Sequence, residues 1–296
     1  MSDFVYQPGE ELDSALRRAG AYLQSAGIDS GFVDAQLIAA HLVSSELGED
    51  VSRGRIQSMA LTGTAVPAGF AELVSERGAR VPLQHLTGQA YFRHLTLRVG
   101  PGVFTPRPET ELLVDHVLDY MRFRSLENPV VVDLCTGSGA IAASVATEIP
   151  GSQVFAVELS EDACAWAALN LEPVGVQLVQ GDATDALEHL VGEVDVVVTN
   201  PPYIPNGAVP KDPEVRDHDP HLALFGGSED GMKIPSAIAN RAYQLLKPGG
   251  FAIMEHAETQ RELAASLFKN LGFTGVQSID DLAGKPRHTA GRKPLG

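Results

Sequence analysis

At 296 residues the chain is long enough for two domains, at roughly 150 residues per domain, and its 44% hydrophobic and 20% charged content is that of an ordinary globular protein. A formal charge of −16 argues against tight nucleic-acid binding, because phosphate neutralisation by Lys and Arg dominates that affinity. Residues 1–10 carry neither the basic stretch nor the apolar core of a signal peptide, no apolar run is long enough to span a membrane, and Cys135 and Cys164 make no disulfide framework. The expectation is a cytoplasmic protein without a membrane partner.

From about residue 9 to 80 the period is helical. Leu12, Leu16, Ala19 and Leu23 recur at helical spacing, as do Ala35, Leu37, Ile38, Ala39, Leu42 and Val43. Gly27 suits a C-cap and Asp29 or Ser30 an N-cap, and shorter helices at 50–59 and 66–79 complete a small bundle. This part shows no chemistry; it reads as a substrate-docking domain or a plain structural cap. Residues 84–99 change period, and Ala90-Tyr91-Phe92 and Leu95-Thr96-Leu97-Arg98-Val99 predict a β-hairpin. The expected division is a helical domain over 1–83, a hairpin linker over 84–104 and a second domain over 105–296. Pro108, with Glu109 and Glu111 close behind, predicts a helix start over 108–123, since carboxylates favour the positive N-terminal end.

From residue 129 onward strands and helices alternate. Strands are predicted at 130–134, 153–158, 176–180, 194–199, 250–255 and 274–279, with a last one at 287–293. Helices are predicted at 138–147, 160–171, 233–246 and 260–270. Alternation of this kind implies an α/β domain whose largely parallel sheet is covered on both faces.

Two stretches carry chemistry. Val194-Asp195-Val196-Val197-Val198-Thr199 reads as a buried strand that runs into Asn200-Pro201-Pro202-Tyr203. Proline has no N–H to give a sheet, and residues before it are pushed into extended conformations, so the strand must end in a stiff loop. Such a loop at a strand's carboxyl end lies where ligands sit in open α/β sheets. The Asn200 side-chain oxygen and the Pro201 carbonyl can each accept a hydrogen from a target –NH2, while Tyr203 stacks on the planar group behind it. An amide or exocyclic amine is a poor nucleophile, so orientation must supply much of the help. The plain alternative is that Asn-Pro-Pro only terminates a strand.

The second stretch is Asp133-Leu134-Cys135-Thr136-Gly137-Ser138-Gly139-Ala140, a glycine turn between a strand and a helix, which lets a ligand approach backbone and helix N-terminus. Glu158 at the next strand end is placed to take two ribose hydroxyls. Gly137 to Ala142 also satisfies the G-x-G-x-x-G/A dinucleotide fingerprint, with Glu158 19 residues after Gly139, so NAD and S-adenosylmethionine both have to be weighed. Asp133 as a partner for an amino group, Asp182 in Gly181-Asp182-Ala183 as an acceptor for an adenine amine, and Asn200-Pro-Pro-Tyr at the fourth strand end favour the methyl donor. Between Ile204 and Met232 lies a long stretch of little periodicity, expected to form a lip over the substrate. Its Asp217, His218, Asp219 and His221 lack a distant partner ligand, and no metal is expected.

Together these residues resemble the HemK-type glutamine N5-methyltransferases of peptide chain release factors. The matching stretches are Thr105-Pro-Arg-Pro-Glu-Thr-Glu111, Asp133-Leu-Cys-Thr-Gly-Ser-Gly139, Asn200-Pro-Pro-Tyr203, Glu214-Val-Arg-Asp-His-Asp-Pro220, Ala223-Leu-Phe-Gly-Gly227, Asp230-Gly231, Leu246-Lys-Pro-Gly-Gly250 and Asp281-Leu-Ala-Gly284. The resemblance implies a Rossmann-like, seven-stranded methyltransferase domain with a reversed final hairpin, behind a helical domain and a hairpin linker. It implies S-adenosylmethionine, leaving as S-adenosylhomocysteine, at Cys135, Thr136, Gly137, Ser138, Gly139, Glu158, Leu159, Asp182, Ala183 and Asn200, with Phe104, Arg107 and Pro108 enclosing the reacting centre. The implied acceptor is the glutamine of a release factor's Gly-Gly-Gln loop, gripped by Asn200, Pro201, Pro202 and Tyr203, in a monomer that does not touch nucleic acid directly. Three residues depart from the family pattern: Glu158 stands where Asp is common, Cys135 where Gly is, and Ala257 where Gly follows His. Competing expectations are a ribosomal-protein glutamine methyltransferase, a DNA adenine-N6 methyltransferase, and a non-catalytic nucleotide-binding module.

Overall fold

The computed structural model describes residues 3–7 and 9–296. The chain forms two compact units, Met1–Gln89 with Pro210–His218, and Ala90–Val209 with Asp219–Gly296. The first five helices are α1 (Leu12–Ser25), α2 (Gly31–Leu47), α3 (Arg53–Leu61), α4 (Phe70–Gly78) and α5 (Leu83–Thr87). Strands β1 (Gln89–Phe92) and β2 (Leu95–Arg98) pair as a hairpin. There follow α6 (Glu111–Phe123), β3 (Val130–Leu134), α7 (Ala140–Glu148), β4 (Gln153–Glu158), α8 (Glu161–Leu171), β5 (Gln177–Gln180) and β6 (Val194–Thr199). The chain ends through α9 (Pro213–His218), α10 (His221–Leu224), α11 (Lys233–Leu245), β7 (Leu246–Glu255), α12 (Arg261–Leu271), β8 (Thr274–Asp280) and β9 (Pro286–Arg292). Among the described residues no helix is long and apolar enough to cross a membrane.

In the first unit the residues at helical spacing close one core: Leu12, Leu16, Leu23, Ile38, Ile56 and Phe70 are buried together. Charge holds its edge. Arg77 Nε lies 2.8 Å from Asp34 Oδ2 and its Nη1 2.8 Å from Glu214 Oε1, while Arg80 Nη2 lies 2.5 Å from Glu214 Oε2. Asp34, Arg77 and Glu214 are all buried. Glu214 stands on α9, so these pairs draw Pro210–His218 into the first unit. That divides the segment expected to be one irregular lip. Its ordered part escaped a periodicity search because charge, rather than an apolar stripe, holds it.

The second unit is a seven-stranded sheet in the order β5-β4-β3-β6-β7-β9-β8. Neighbours are parallel except that β9 runs antiparallel to both β7 and β8. Alternate residues of each strand face opposite sides. Val131, Val154, Val196 and Ile253 meet α6, α7 and α8, while Val132, Val157, Val197 and Met254 meet α11 and α12. Strand β7 begins at Leu246, ahead of the expected 250, because Leu246 pairs with Val194 before a register shift between Val194 and Val196. The strand order reverses at β3, with β4 on one side and β6 on the other. The carboxyl ends of β3 and β6 are therefore neighbours, Leu134 opposite Thr199, at the topological switch point where open α/β sheets bind their ligands.

Burial raises the Glu214 carboxyl, but its hydrogen bonds with Asp212, Arg80 and Arg77 outweigh that and hold it down at about 2. A depressed carboxylate contributes stability that is full above its ordinary value of 4.5 and lost as pH falls toward about 2. Glu214→Gln should lower the stability of the first unit by about 2–3 kcal/mol at pH 7, and the gap to wild type should narrow on acidification through that window. Thermal melts at pH 7, 4 and 3 measure it; a constant gap would show that the charge plays no part.

Candidate active site

At the first strand end, Asp133 is completely buried; its Oδ2 accepts from the Thr136 hydroxyl at 2.6 Å and from the Ala142 amide at 3.2 Å. Its Oδ1 has no hydrogen-bond partner among the described residues. Burial pushes this carboxyl up to about 7, with the Thr136 and Ala142 bonds opposing and the nearby Glu158 adding to the rise. Cys135 takes the left-handed conformation (φ 64°) in the place where glycine is common, followed by Gly137 (φ 58°) and Gly139 (φ 86°), the residue capping α7. A non-glycine residue there carries strain that its surroundings must hold. Burial and the neighbouring carboxylates Glu158 and Asp133 push the Cys135 thiol well up, so it stays protonated.

Glu158, at the end of β4, accepts from the Gly137 amide at 2.8 Å and from the Ser160 amide at 2.8 Å. The longer side chain thus reaches across to the glycine turn. Each oxygen keeps lone-pair capacity for a hydroxyl. The Gly181 amide donates to the Glu158 carbonyl at 2.8 Å, which brings the β5 end beside it. Asp182 is exposed and caps its own turn by accepting from Thr184, Ala183 is buried, and Leu159 is exposed. The Ser138 carbonyl is held by Asn170 Nδ2 at 2.8 Å. A Cβ added at Gly137 or at Gly181 would meet nothing within 4 Å. An orphaned acceptor, open backbone at two glycines and acids at three successive strand ends fit an adenosyl group bearing an amino acid.

Across the switch point, Pro201 and Pro202 are buried and Asn200 and Tyr203 half-buried. Asn200 Nδ2 lies 3.4 Å from Thr110 Oγ1, and the Thr110 hydroxyl donates to Glu255 Oε2 at 2.9 Å. The Tyr203 hydroxyl donates to Glu255 Oε1 at 3.2 Å. Burial and the Glu255 carboxylate push the Tyr203 phenol far up, so it remains a donor. Gln260 ties the far end of the tetrapeptide: its Nε2 donates to the Tyr203 and Asp230 carbonyls, each at 2.8 Å, and its Oε1 accepts from the Ala257 amide at 2.9 Å. Ala257 is extended (φ −65°), so alanine in place of the family glycine carries no strain.

Arg107 pairs with the buried Asp219 at 3.0 Å and lies over the Phe104 ring at 5.3 Å. Pro108 opens the short turn Pro108–Thr110 that leads into α6. Glu111 accepts from the Arg93 amide at 2.9 Å and so anchors the hairpin turn. Asp217 pairs with the adjacent Arg216 at 2.7 Å. Among the described residues no group of three or more His, Cys, Asp or Glu is placed to hold a metal ion. Sequence reading gave no site role to Thr110, Glu255 or Gln260, and weighed Asp219 only as a metal ligand, not as the partner of Arg107. Glu255 had a signal, an acid closing the apolar strand run Phe251-Ala252-Ile253-Met254.

Two families match the chain: the PrmC N-terminal domain over residues 14–88 and the Methyltransferase small domain over residues 94–212. The release factor glutamine methyltransferase of Streptomyces coelicolor is 46% identical over 96% of this chain and 99% of its own. That of Bifidobacterium longum is 44% identical over 94% of this chain and 98% of its own. The 4-amino-L-phenylalanine/4-methylamino-L-phenylalanine methyltransferase of Streptomyces pristinaespiralis is 40% identical over 88% of both chains.

Two substitutions test the geometry. Because the Asp133 carboxyl is raised, the stability it contributes is present at low pH and lost as pH rises through about 7. Asp133→Asn should raise the melting temperature of the cofactor-free protein at pH 8 but not at pH 3, below the ordinary value of 3.8, while weakening S-adenosylmethionine binding at least about tenfold. An equal shift at both pH values would remove the buried charge as its cause. Gly231 (φ 72°) lies so close that an added Cβ would come within 2.1 Å of the Tyr203 carbonyl. Gly231→Ala must therefore displace the Asn200–Tyr203 loop and should cut turnover by about tenfold or more. Wild-type kinetics in that variant would show that the loop tolerates movement.

Proposed function

The chain belongs to the release factor glutamine methyltransferase family, and on that premise we propose that it methylates the side-chain amide nitrogen (N5) of the glutamine in the Gly-Gly-Gln loop of peptide chain release factors. The observation that carries this reading is an identity of 44–46% running through nearly the whole length of both chains, helical unit included. S-adenosylmethionine, when bound, supplies an electrophilic sulfonium methyl, which the amide nitrogen takes with loss of one N–H proton. Asp133, the Cys135–Gly139 turn, Glu158, Leu159, Asp182 and Ala183 would hold the donor, and Phe104, Arg107 and Pro108 would help to enclose it.

The chain's own part in the reaction is orientation. Asn200 Oδ1 and the Pro201 carbonyl accept the two amide hydrogens, and the Tyr203 ring lies against the flat amide, so the nitrogen lone pair faces the methyl. No residue is assigned as general base; a nitrogen-methylated amide is strongly acidic in its cationic form and gives its proton to water. Residues 1–83 dock the release factor, 84–104 serve as linker, and 105–296 carry the transfer. The protein acts as a monomer in the cytoplasm, and its net charge of −16 supports recognition of protein rather than nucleic acid.

A second acceptor class is favoured by one observation, the 40% identity with the Streptomyces pristinaespiralis enzyme. An arylamine, like an amide, is a planar –NH2 with a delocalised lone pair, and the same loop would hold it alike. The decisive experiment supplies labelled S-adenosylmethionine with three acceptors: full-length release factor, its Gln-to-Ala loop variant, and 4-amino-L-phenylalanine. One methyl on that glutamine, absent from the variant, supports the proposal; transfer to the amino acid alone replaces it. In the same assay Asn200→Ala should reduce kcat by about a hundredfold or more, with donor affinity changed far less. Near-normal turnover would remove Asn200 from its role.

A further inference from the structure

Glu255 is a buried carboxylate with no part in the donor site, and two residues of the acceptor site converge on it. One oxygen takes the Thr110 hydroxyl at 2.9 Å and the other the Tyr203 hydroxyl at 3.2 Å. The fully buried His288 faces it as well, with Nε2 3.8 Å from Oε2. A carboxylate has only acceptors to offer, so both hydroxyls must spend their single hydrogen on it. The consequence for Asn200 follows by elimination. Thr110, its hydrogen committed, presents only lone pairs to the Asn200 carboxamide 3.4 Å away. If the Asn200 oxygen faced it, two acceptors would confront each other. The –NH2 must face Thr110, and the oxygen is turned away from it.

We infer that Glu255 is a positioning residue which, through the Thr110 hydroxyl, dictates which way the Asn200 carboxamide faces, and through the Tyr203 hydroxyl pins the ring beside it. The inference deepens the reading given above and rests on it, since an acceptor –NH2 needs an oxygen, not another –NH2, from Asn200. An asparagine can flip about its last bond at little cost in packing, because its two ends are nearly the same size. The main chain of Asn200-Pro-Pro-Tyr cannot set that choice. A hydrogen-bond chain with fixed direction can, and Glu255 at its buried end supplies the direction. The 3.4 Å link is the longest of the three, so the polarity of the contact matters more than its strength.

Glu255→Gln keeps the size and removes the direction. If the glutamine amide faces Thr110, the threonine hydrogen is released to Asn200 and the carboxamide flips; if it faces Tyr203, that hydroxyl must turn elsewhere. The full-length variants Glu255→Gln, Thr110→Val and Thr110→Ser should be compared with wild type for donor affinity and for kcat and KM on release factor. Glu255→Gln and Thr110→Val should each lose about tenfold or more in kcat while KM and donor affinity stay within about threefold. Thr110→Ser, which restores the hydroxyl, should recover kcat to within about twofold. A loss shared by Thr110→Ser, or confined to KM, would make the role one of packing and overturn the inference. A readout independent of any acceptor is the Asn200 side-chain amide resonance in protein labelled with 15N-asparagine, identified by its disappearance in Asn200→Ala. It should shift in Thr110→Val and return in Thr110→Ser; an unmoved resonance in Thr110→Val overturns the inference even if wild type proves inactive on release factor. Wild-type inactivity together with the expected shifts would instead fault only the choice of acceptor.

Discussion

Strand β6 is buried along its whole length and stops where Pro201 and Pro202 have no amide hydrogen to give a neighbouring strand. Everything that makes the site depends on where that stop falls. Because β3 lies between β4 and β6, the stop comes next to the Cys135–Gly139 turn, at the switch point of the sheet. On the reading proposed above, a donor at the glycine turn would lie beside a loop stiffened by two prolines. An acceptor seated there would, on the same reading, lose little entropy.

Rigidity of the main chain would still leave the side chains free, and a layer of buried polar groups restrains them. Glu255 collects the Thr110 and Tyr203 hydroxyls, and Gln260 holds the Tyr203 and Asp230 carbonyls. Each of these groups would be costly to bury alone, and each has its partner. Asp133 is the contrast. It is buried with one oxygen unpartnered and its carboxyl is raised, a local cost of the kind that collects at ligand sites because a bound group relieves it.

The same logic of paired charges organises the helical unit. Glu214 lies far along the chain from α4, yet Arg77 and Arg80 hold it within that unit. The long segment after Tyr203 therefore leaves the methyltransferase unit at Pro210 and returns at Asp219, where Arg107 takes it. A stretch with little periodicity is thus ordered by ion pairs at Glu214 and Asp219. Short helices of this kind cannot be stable alone, since nucleation outweighs the few bonds they make.

Local chemistry in the sequence was enough to determine the strand and helix alternation, the stop at Asn200-Pro-Pro-Tyr, the glycine turn after Asp133 and the acids at successive strand ends. Those are properties of a few adjacent residues: apolar runs, missing amide hydrogens, left-handed backbone. Tertiary structure alone decided that Pro210–His218 joins the helical unit, that β7 starts at Leu246, and that Thr110, Glu255 and Gln260 stand behind the Asn200–Tyr203 loop. Thr110 and Glu255 are 145 residues apart and Arg77 and Glu214 are 137 apart. A hydrogen bond or ion pair across such a distance leaves no period or spacing in the chain. It exists only because the folded sheet and helices bring its two halves together, in surroundings dry enough for direction and charge to count.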